Sequence, residues 1–275
     1  MMGKEGGQDQ ILIDYETLSK NIDDPDLSIL DMRSPMEYSM GHLPKAQLIP
    51  YERIVDFSPG RPYLDVTSQS QIESLLSDKG VSNNSRVVVY GDKGGASAAR
   101  LFWTLELYGV NVSMLNISFS AWRSLGLSLS REVPTPKRTE FRSGSRPDDF
   151  RATSEYVASR LENPDTMLID TRSVEEFNGL IPSGQRSGRI PGSLNIPWDS
   201  GVGSDGKIFR ETADLESLFK GRGLTNDKEM ICYCQVGERA SHTFLALRLA
   251  GFPKVKIYDR SFSEWGSKLD LPVET

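Results

Sequence analysis

The chain has few of the features that mark secreted, membrane-spanning or nucleic-acid-binding proteins. Only two of its 275 residues are cysteine, and since one residue separates Cys232 from Cys234, they cannot staple a fold by disulfides. No apolar run approaches the roughly 20 residues needed to cross a bilayer, and the polar start of the sequence lacks the apolar stretch of a secretory signal. A formal net charge of −6 argues against binding to nucleic acids or anionic membranes. These absences predict a cytoplasmic protein.

An internal repeat accounts for most of the sequence. Four segments of the first half recur in the same order in the second, namely 30–38 with 169–177, 41–44 with 188–191, 79–83 with 222–226, and 118–122 with 261–265. A proline- and charge-rich stretch between the two halves predicts an extended linker. We therefore expect a first domain over residues 8–130, a linker over 131–150 and a second domain over 151–275.

Each half alternates short β-rich runs with amphipathic helical segments. The predicted strands are residues 28–30, 86–90, 112–115, 167–169, 230–233 and 255–258. The predicted helices are residues 70–79, 96–108, 153–161, 213–220 and 239–250. This alternation predicts an α/β fold of two domains, each a mainly parallel sheet flanked by helices, with ligands at the carboxyl ends of the strands.

The strongest chemical signal is the junction at Cys234, where a predicted strand meets a predicted helix. Backbone N–H groups in the first turn of a helix have no partner inside the helix, and the helix dipole adds to their preference for an anion. A thiol at this junction therefore ionises more readily than a free one. Gly237 allows the backbone to curl around the sulfur, and Arg239 adds positive charge. We predict that Cys234 is a nucleophile in an anion-binding loop rather than an inert buried cysteine.

The length of this loop favours one kind of cysteine chemistry over another. Four residues separate Cys234 from Arg239, whereas the loop of cysteine-dependent phosphatases is one residue longer and holds a tetrahedral phosphate. The form Cys-x-x-Gly-x-Arg-Ala resembles the active loop of the rhodanese family of sulfurtransferases, and residues 11–272 resemble its tandem members. The resemblance implies that Cys234 carries sulfur as a persulfide and that no cofactor is needed. It also implies a substrate-binding loop of Gln235, Val236, Gly237, Glu238, Arg239 and Ala240.

The resemblance further implies that the first domain is catalytically silent. The offset of 142 residues that aligns Gly95 with Gly237 places Asp92 opposite Cys234. A carboxylate cannot carry a sulfane sulfur, so we expect the first domain to shape a cleft between the domains and to support the second.

Arg239, Arg186 and Arg189 are candidates for binding an anionic donor. Arg186 is the predicted substrate-binding residue outside the loop, and Arg189 is an alternative at a position where the family usually has histidine. In vertebrate members an arginine that grips the donor falls at the position of Glu176. This departure leaves the identity of the donor open.

Other polar residues near the loop are interpreted as structural. His242 is expected to pack in its helix rather than act as a base, and Cys232 is expected to lie in the core. The two cysteines and two histidines do not form a usual zinc-ligand spacing, which predicts no metal. The Asp-x-Arg pairs, Asp31/Arg33 and Asp170/Arg172, are expected to hold neighbouring loops.

The sequence thus predicts a sulfurtransferase that moves a sulfane sulfur from a small anionic donor, thiosulfate, to cyanide, a thiol or a thioredoxin-like acceptor. A 3-mercaptopyruvate sulfurtransferase shares the fold and covalent step and is the first alternative. A phosphatase or arsenate reductase is a second, which the short loop disfavours. A sulfur carrier or docking module without catalytic activity is a third.

Overall fold

The structure, a computed structural model, describes residues 11–144 and 150–275. The start of the predicted first domain and residues 145–149 of the predicted linker lie outside the described residues. The strands are β1 (Leu12–Ile13), β2 (Leu27–Asp31), β3 (Gln47–Leu48), β4 (Val55–Asp56), β5 (Asp65–Val66), β6 (Arg86–Tyr90), β7 (Val112–Leu115), β8 (Arg151–Ala152), β9 (Thr166–Asp170), β10 (Leu194–Asn195), β11 (Glu229–Tyr233) and β12 (Val255–Tyr258). The helices are α1 (Tyr15–Lys20), α2 (Pro35–Met40), α3 (Gln69–Asp78), α4 (Ala96–Leu107), α5 (Phe119–Ser124), α6 (Ser154–Ala158), α7 (Val174–Phe177), α8 (Thr212–Gly221), α9 (Glu238–Leu249) and α10 (Ser261–Trp265). Short 3₁₀ helices cover Tyr51–Arg53, Lys93–Gly95 and Trp198–Gly201.

The two halves have the same sheet topology. The first sheet has the order β1-β7-β6-β2-β3, the second has the order β8-β12-β11-β9-β10, and all neighbours in both sheets run parallel. Corresponding strands therefore occupy corresponding places, as a duplicated sequence requires. The prediction of an α/β fold with parallel sheets flanked by helices is confirmed. A small antiparallel pair, β4 with β5, is present beside the first sheet.

The sequence located the central strands better than the edges. Strands β6, β7 and β12 begin and end at the predicted residues, and β2, β9 and β11 are one or two residues longer than predicted. Edge strands of two residues, such as β3 and β10, were missed because so short a segment has no hydrophobic period to detect. No helix in the described ranges is long and apolar enough to cross a bilayer.

A buried ion pair lies at the carboxyl end of β2 and another at that of β9, and each fixes the loop beyond its strand. Arg33 Nη2 lies 2.6 Å from Asp31 and 2.9 Å from the carbonyl oxygen of Gly41. Arg172 repeats this arrangement with Asp170, at 2.6 Å, and with a glycine carbonyl. The structural role predicted for both Asp-x-Arg pairs is confirmed. Each pair orients a short helix, α2 or α7, whose N-terminus carries a serine–glutamate capping box.

The two halves share an apolar core, and helices α4 and α9 pack against each other where they meet. Ion pairs add to this contact. Arg248 donates to Glu106 at 2.5 Å. Asp65 of the first half forms ion pairs with both Arg151 and Arg260 of the second. The interface is therefore extensive, and it holds the loop after β6 and the loop after β11 in a fixed relation.

Residues 131–144 contain no helix or strand and run along the first half instead of crossing open solvent. Phe141 is buried, and its backbone N–H donates to Ser77 Oγ at 3.1 Å. Thr139 donates to the carbonyl of Val81 at 2.6 Å. This segment thus packs on the end of α3 before the chain enters the second half.

Candidate active site

Cys234 directly follows β11, and Gly237 forms the N-cap of α9. Gly237 has φ of +84°, a conformation that favours glycine. A side chain there would also collide with neighbours, since an added Cβ would lie 2.6 Å from the carbonyl oxygen of Asp259. The turn brings the N–H of Gly237 to 3.1 Å from Cys234 Sγ. The loop therefore donates a backbone hydrogen bond to the sulfur, as the sequence predicted for an anion-binding loop.

A second segment, residues 261–263, holds the cysteine loop in place. The N–H of Cys234 donates to Ser261 Oγ at 3.0 Å, and the carbonyl of Cys234 accepts from the N–H of Phe262 at 3.1 Å. Ser263 Oγ donates to the carbonyl of Gln235 at 2.6 Å. Ser261 has φ of +54°, a disfavoured conformation that directs its hydroxyl to the loop. In the sequence this segment is recognisable only as part of the repeat, because its contact with a loop 27 residues away has no sequence signal.

A pocket of about 460 Å³ opens over Cys234 at the interface between the halves. The second half contributes Trp198, Cys234, Gln235, Val236, Glu238 and Arg239, and the first contributes Met32, Arg33, Ser34, Glu37, Asp92, Lys93, Ala96 and Ser97. Five of the predicted site residues thus line one pocket. Gly237 and Ala240 lie behind this lining, where Gly237 contacts the sulfur and Ala240 packs in the core.

Arg239 forms an ion pair with Glu176 at the edge of the pocket. Its Nη1 and Nη2 lie 2.6 Å and 2.9 Å from the two carboxylate oxygens of Glu176. Burial alone would lower the pKa of Arg239, but the hydrogen bonds to Glu176 and the nearby Cys234 raise it. Burial alone would raise the pKa of Glu176, but the hydrogen bond from Arg239 lowers it. Both groups are charged, so the positive charge predicted for the loop is largely neutralised by Glu176.

The structure does not bring Arg186, which was predicted to bind the donor, into the pocket lining with Cys234. Its guanidinium donates to four backbone carbonyls of residues 265–271, among them Gly266 at 3.0 Å and Leu271 at 2.8 Å. These carbonyls terminate α10 and the turn after it, so Arg186 ties down the C-terminal segment. Arg189 also lies outside the pocket, where it packs over the Phe177 ring and pairs with Glu274 at 3.3 Å.

Two further polar residues of α9, Glu238 and His242, bond groups other than Cys234. Glu238 accepts a hydrogen bond from Ser97 of the first half at 2.6 Å, so it points across the interface and does not pair with Arg239. His242 is fully buried against Phe209 and bonds the carbonyl of Ile208 at 3.1 Å. Burial lowers the pKa of His242 to about 4, which makes it neutral at physiological pH. The structural interpretation of His242 is confirmed.

Both cysteines are free, and they differ in their surroundings. Cys232 is fully buried within the sheet, where burial raises its pKa, and it lies in the core as predicted. Cys234 lines the pocket. Among the described residues, no three His, Cys, Asp or Glu side chains cluster with a geometry that could hold a metal ion.

The corresponding loop of the first half has no thiol. The loop between β6 and α4 is one residue longer than the loop between β11 and α9. If the two loops are aligned from their helices, Asp92 corresponds to Cys234. If they are aligned from their strands, Gly91 corresponds to Cys234. The hydrogen bonds agree with the second alignment, since the N–H of Phe119 donates to Gly91 as that of Phe262 does to Cys234. Asp92 lines the pocket and accepts a hydrogen bond from Ser120 at 2.7 Å.

A model of the rhodanese-like domain matches this chain twice, over residues 14–125 and 153–268. A thiosulfate sulfurtransferase of Pseudomonas aeruginosa is 33% identical, over 96% of this chain and 97% of its own. The sulfur carrier protein TtuD of Thermus thermophilus is 32% identical, over 96% of each chain. The 3-mercaptopyruvate sulfurtransferase of Escherichia coli K12 is 32% identical, over 94% of this chain and 95% of its own.

Solved structures give the same result. The crystal structure of SseA, a 3-mercaptopyruvate sulfurtransferase from Escherichia coli, has a TM-score of 0.79 with 29% identity and covers 92% of this chain and 98% of its own. An anaerobic ergothioneine biosynthesis enzyme from Chlorobium limicola has a TM-score of 0.86 at 23% identity, over 96% of this chain and 70% of its own, and shares the fold.

Two α/β domains, each with a parallel sheet, and a cysteine loop at their interface are typical of the tandem sulfurtransferases. The chain belongs to the rhodanese family and contains two rhodanese-like domains.

Proposed function

We propose that the protein transfers a sulfane sulfur from thiosulfate to a nucleophilic acceptor through a persulfide on Cys234. The observation that carries this proposal is the 3.1 Å hydrogen bond from the N–H of Gly237 to Cys234 Sγ, at the base of a pocket just before α9. A donor at this position stabilises a thiolate, and it remains in place when the sulfur becomes the inner atom of a persulfide.

In the first half-reaction the Cys234 thiolate attacks the outer sulfur of thiosulfate. A new S–S bond forms while the S–S bond of thiosulfate breaks, and sulfite leaves with the electron pair. In the second half-reaction cyanide or a thiol attacks the terminal sulfur, and the Cys234 thiolate is released. The free N–H groups in the first turn of α9 favour the negative charge at each stage. No separate base is required, which fits the neutral, buried His242.

The pocket also supports the proposed acceptors. Its volume of about 460 Å³ exceeds what thiosulfate fills, and this leaves room for a thiol group to approach Cys234 after sulfite departs. A thioredoxin-like protein presents such a thiol on its surface. Because both cysteines are free, we propose that the protein works in a reducing compartment, the cytoplasm.

3-Mercaptopyruvate is a second candidate donor, because one relative with similar identity is named for it. The Escherichia coli relative named for this activity matches the chain about as closely as the relatives named for thiosulfate. Gln235 and Val236 beside the cysteine carry no charge, so the loop itself does not select a dianion over a carboxylate.

Steady-state kinetics with both donors tests the proposal. We expect ping-pong kinetics with cyanide as acceptor and a higher kcat/KM for thiosulfate than for 3-mercaptopyruvate. A higher kcat/KM for 3-mercaptopyruvate would reassign the donor and keep the covalent step. If neither donor supports turnover, and Cys234 receives sulfur only when a partner protein is present, the sulfur-carrier alternative is favoured.

A further inference from the structure

The pocket over Cys234 contains three cationic side chains, and two of them are already paired. Arg33 is buried and bound to Asp31 at 2.6 Å. Arg239 is bound by both oxygens of Glu176. Neither guanidinium can give its full charge to a donor without competing with a carboxylate.

Lys93 is the third cation, and it comes from the catalytically silent half. It lines the same pocket as Cys234, its side chain is exposed, and within residues 11–144 and 150–275 it has no hydrogen bond or ion pair. Its backbone has φ of +52°, which a lysine rarely adopts. A disfavoured backbone at a pocket lining is the kind of strain that functional sites retain.

The loop that carries Lys93 is held firmly against the second half. Gly94 and Gly95 both have φ of +78°. An added Cβ on Gly94 would lie 2.9 Å from the Trp198 ring, and one on Gly95 would lie 2.7 Å from Ile208. The two glycines therefore let the loop press directly on the second half. This contact holds the backbone beside Lys93 at the lining of the pocket that contains Cys234.

Three carboxylates also face the pocket, and each has a hydroxyl partner. Glu37 bonds Ser34, Asp92 bonds Ser120, and Glu238 bonds Ser97. Their charges oppose the attraction of an anion from a distance, so the affinity for a donor must come from contact with a nearby cation. Lys93 is attracted through space by Glu37 but forms no ion pair within the described residues, so it meets this requirement better than the two paired arginines.

We infer that Lys93 of the silent domain binds the anionic end of the sulfur donor and sets the preference for a doubly charged donor. The inference rests on the proposed function and deepens it. It assigns the first domain a direct part in substrate recognition, since Lys93 and Cys234 line the same pocket. A sulfonate-like group with two negative charges gains more from this contact than a single carboxylate.

The test is a binding measurement that does not depend on turnover. Calorimetry compares thiosulfate with pyruvate, a monoanion, on the C234S protein and on C234S with K93Q, K93R or K45Q. Lys45 is a matched control because it also has a positive φ, of 64°, and pairs with Asp23 outside the pocket. Circular dichroism and thermal unfolding establish that each variant is folded.

We expect K93Q to raise the Kd for thiosulfate about five- to tenfold and the Kd for pyruvate about two- to threefold. K93R should retain most of the thiosulfate affinity, and K45Q should leave both values unchanged. A Kd for thiosulfate that K93Q leaves unchanged, or absence of millimolar binding to C234S, would overturn the role of Lys93. Persulfide formation on the wild-type protein tests the proposed function separately, because it requires Cys234 and not Lys93.

Discussion

The two loops that meet at the pocket are built on the same scaffold and differ by one residue. In the second domain the N–H of Gly237 donates to Cys234 Sγ at 3.1 Å. In the first, the corresponding N–H of Gly95 donates to the carbonyl of Asp92 at 3.0 Å. The extra residue thus closes the first loop on its own backbone, and the donor that would hold a sulfur is used up. The proposed catalytic silence of the first domain would then follow from backbone geometry as well as from the missing thiol.

The same comparison explains what the first loop does instead. Its left-handed backbone at Lys93, Gly94 and Gly95 turns charged side chains toward the pocket. The second loop has a positive φ at Gly237 alone and places Cys234 at the strand end. We propose that duplication has produced one loop for chemistry and one for recognition.

The largest expected effect comes from removing the thiol that distinguishes the second loop from the first. C234S should reduce sulfur transfer by about 10³-fold or more, because the covalent intermediate is lost. Adding a cysteine to the first loop, as C234S/D92C or C234S/G91C, should not restore activity, since the N–H of Gly95 already bonds Asp92. Cyanide-dependent turnover measures all three. Recovery of a substantial part of wild-type activity by either double variant would mean that loop geometry does not determine silence.

The second effect concerns the glycine that shapes the catalytic loop. G237A should destabilise the protein by about 3 kcal/mol or more, because the residue has a positive φ and its Cβ would meet Arg100 and Asp259. G251A is a matched control with φ of +85° and nothing within 4 Å of an added Cβ, so it should cost about 1 kcal/mol. Chemical denaturation measures both. Equal costs would show that the crowding at Gly237 has no energetic weight.

The third effect compares the serines that begin the two matching segments. S261A removes the acceptor for the N–H of Cys234 and should lower kcat/KM about tenfold, because a buried donor is left unpaired next to the nucleophile. S118A removes only the N-cap of α5 and should cost about 1 kcal/mol of stability with unchanged transfer. Similar losses of kcat/KM in both variants would mean that the loss comes from lower stability of the protein and not from the contact with Cys234.

The smallest effect is the pH dependence of the Glu176–Arg239 pair. The pKa of Glu176 is lowered in the folded state, so the pair stabilises the fold above the ordinary glutamate pKa, and the contribution is lost as pH falls through the folded value. E176Q should therefore cost about 1 kcal/mol at pH 7 and progressively less toward pH 3. E37Q, at a glutamate held by Ser34 in a capping box that glutamine can also form, as Gln71 does in α3, should cost less at pH 7. A loss from E176Q that is independent of pH would contradict the ion pair.

Much of the fold was predictable from the sequence because the signals were local or repeated. The buried strands β6 and β11 are continuous apolar runs, and the duplicated Asp-x-Arg pairs marked the ends of β2 and β9. Cys234 and Gly237 were predictable because loop chemistry is encoded in adjacent residues.

The partners of the predicted arginines were not predictable. Arg186 contacts a segment about 80 residues further along the chain, and Glu176 meets Arg239 across 63 residues. No periodicity or spacing reports such contacts. Lys93 was not singled out for the same reason, since its place in the pocket lining depends on the packing of one half against the other.

The measurement that tests the account most directly is the intact mass of the wild-type protein after incubation with thiosulfate, beside C234S treated in the same way. We predict a gain of one sulfur atom in the wild-type protein, lost on addition of cyanide and absent from C234S. An unchanged mass in a folded wild-type protein, or the same gain in C234S, would contradict a persulfide on Cys234.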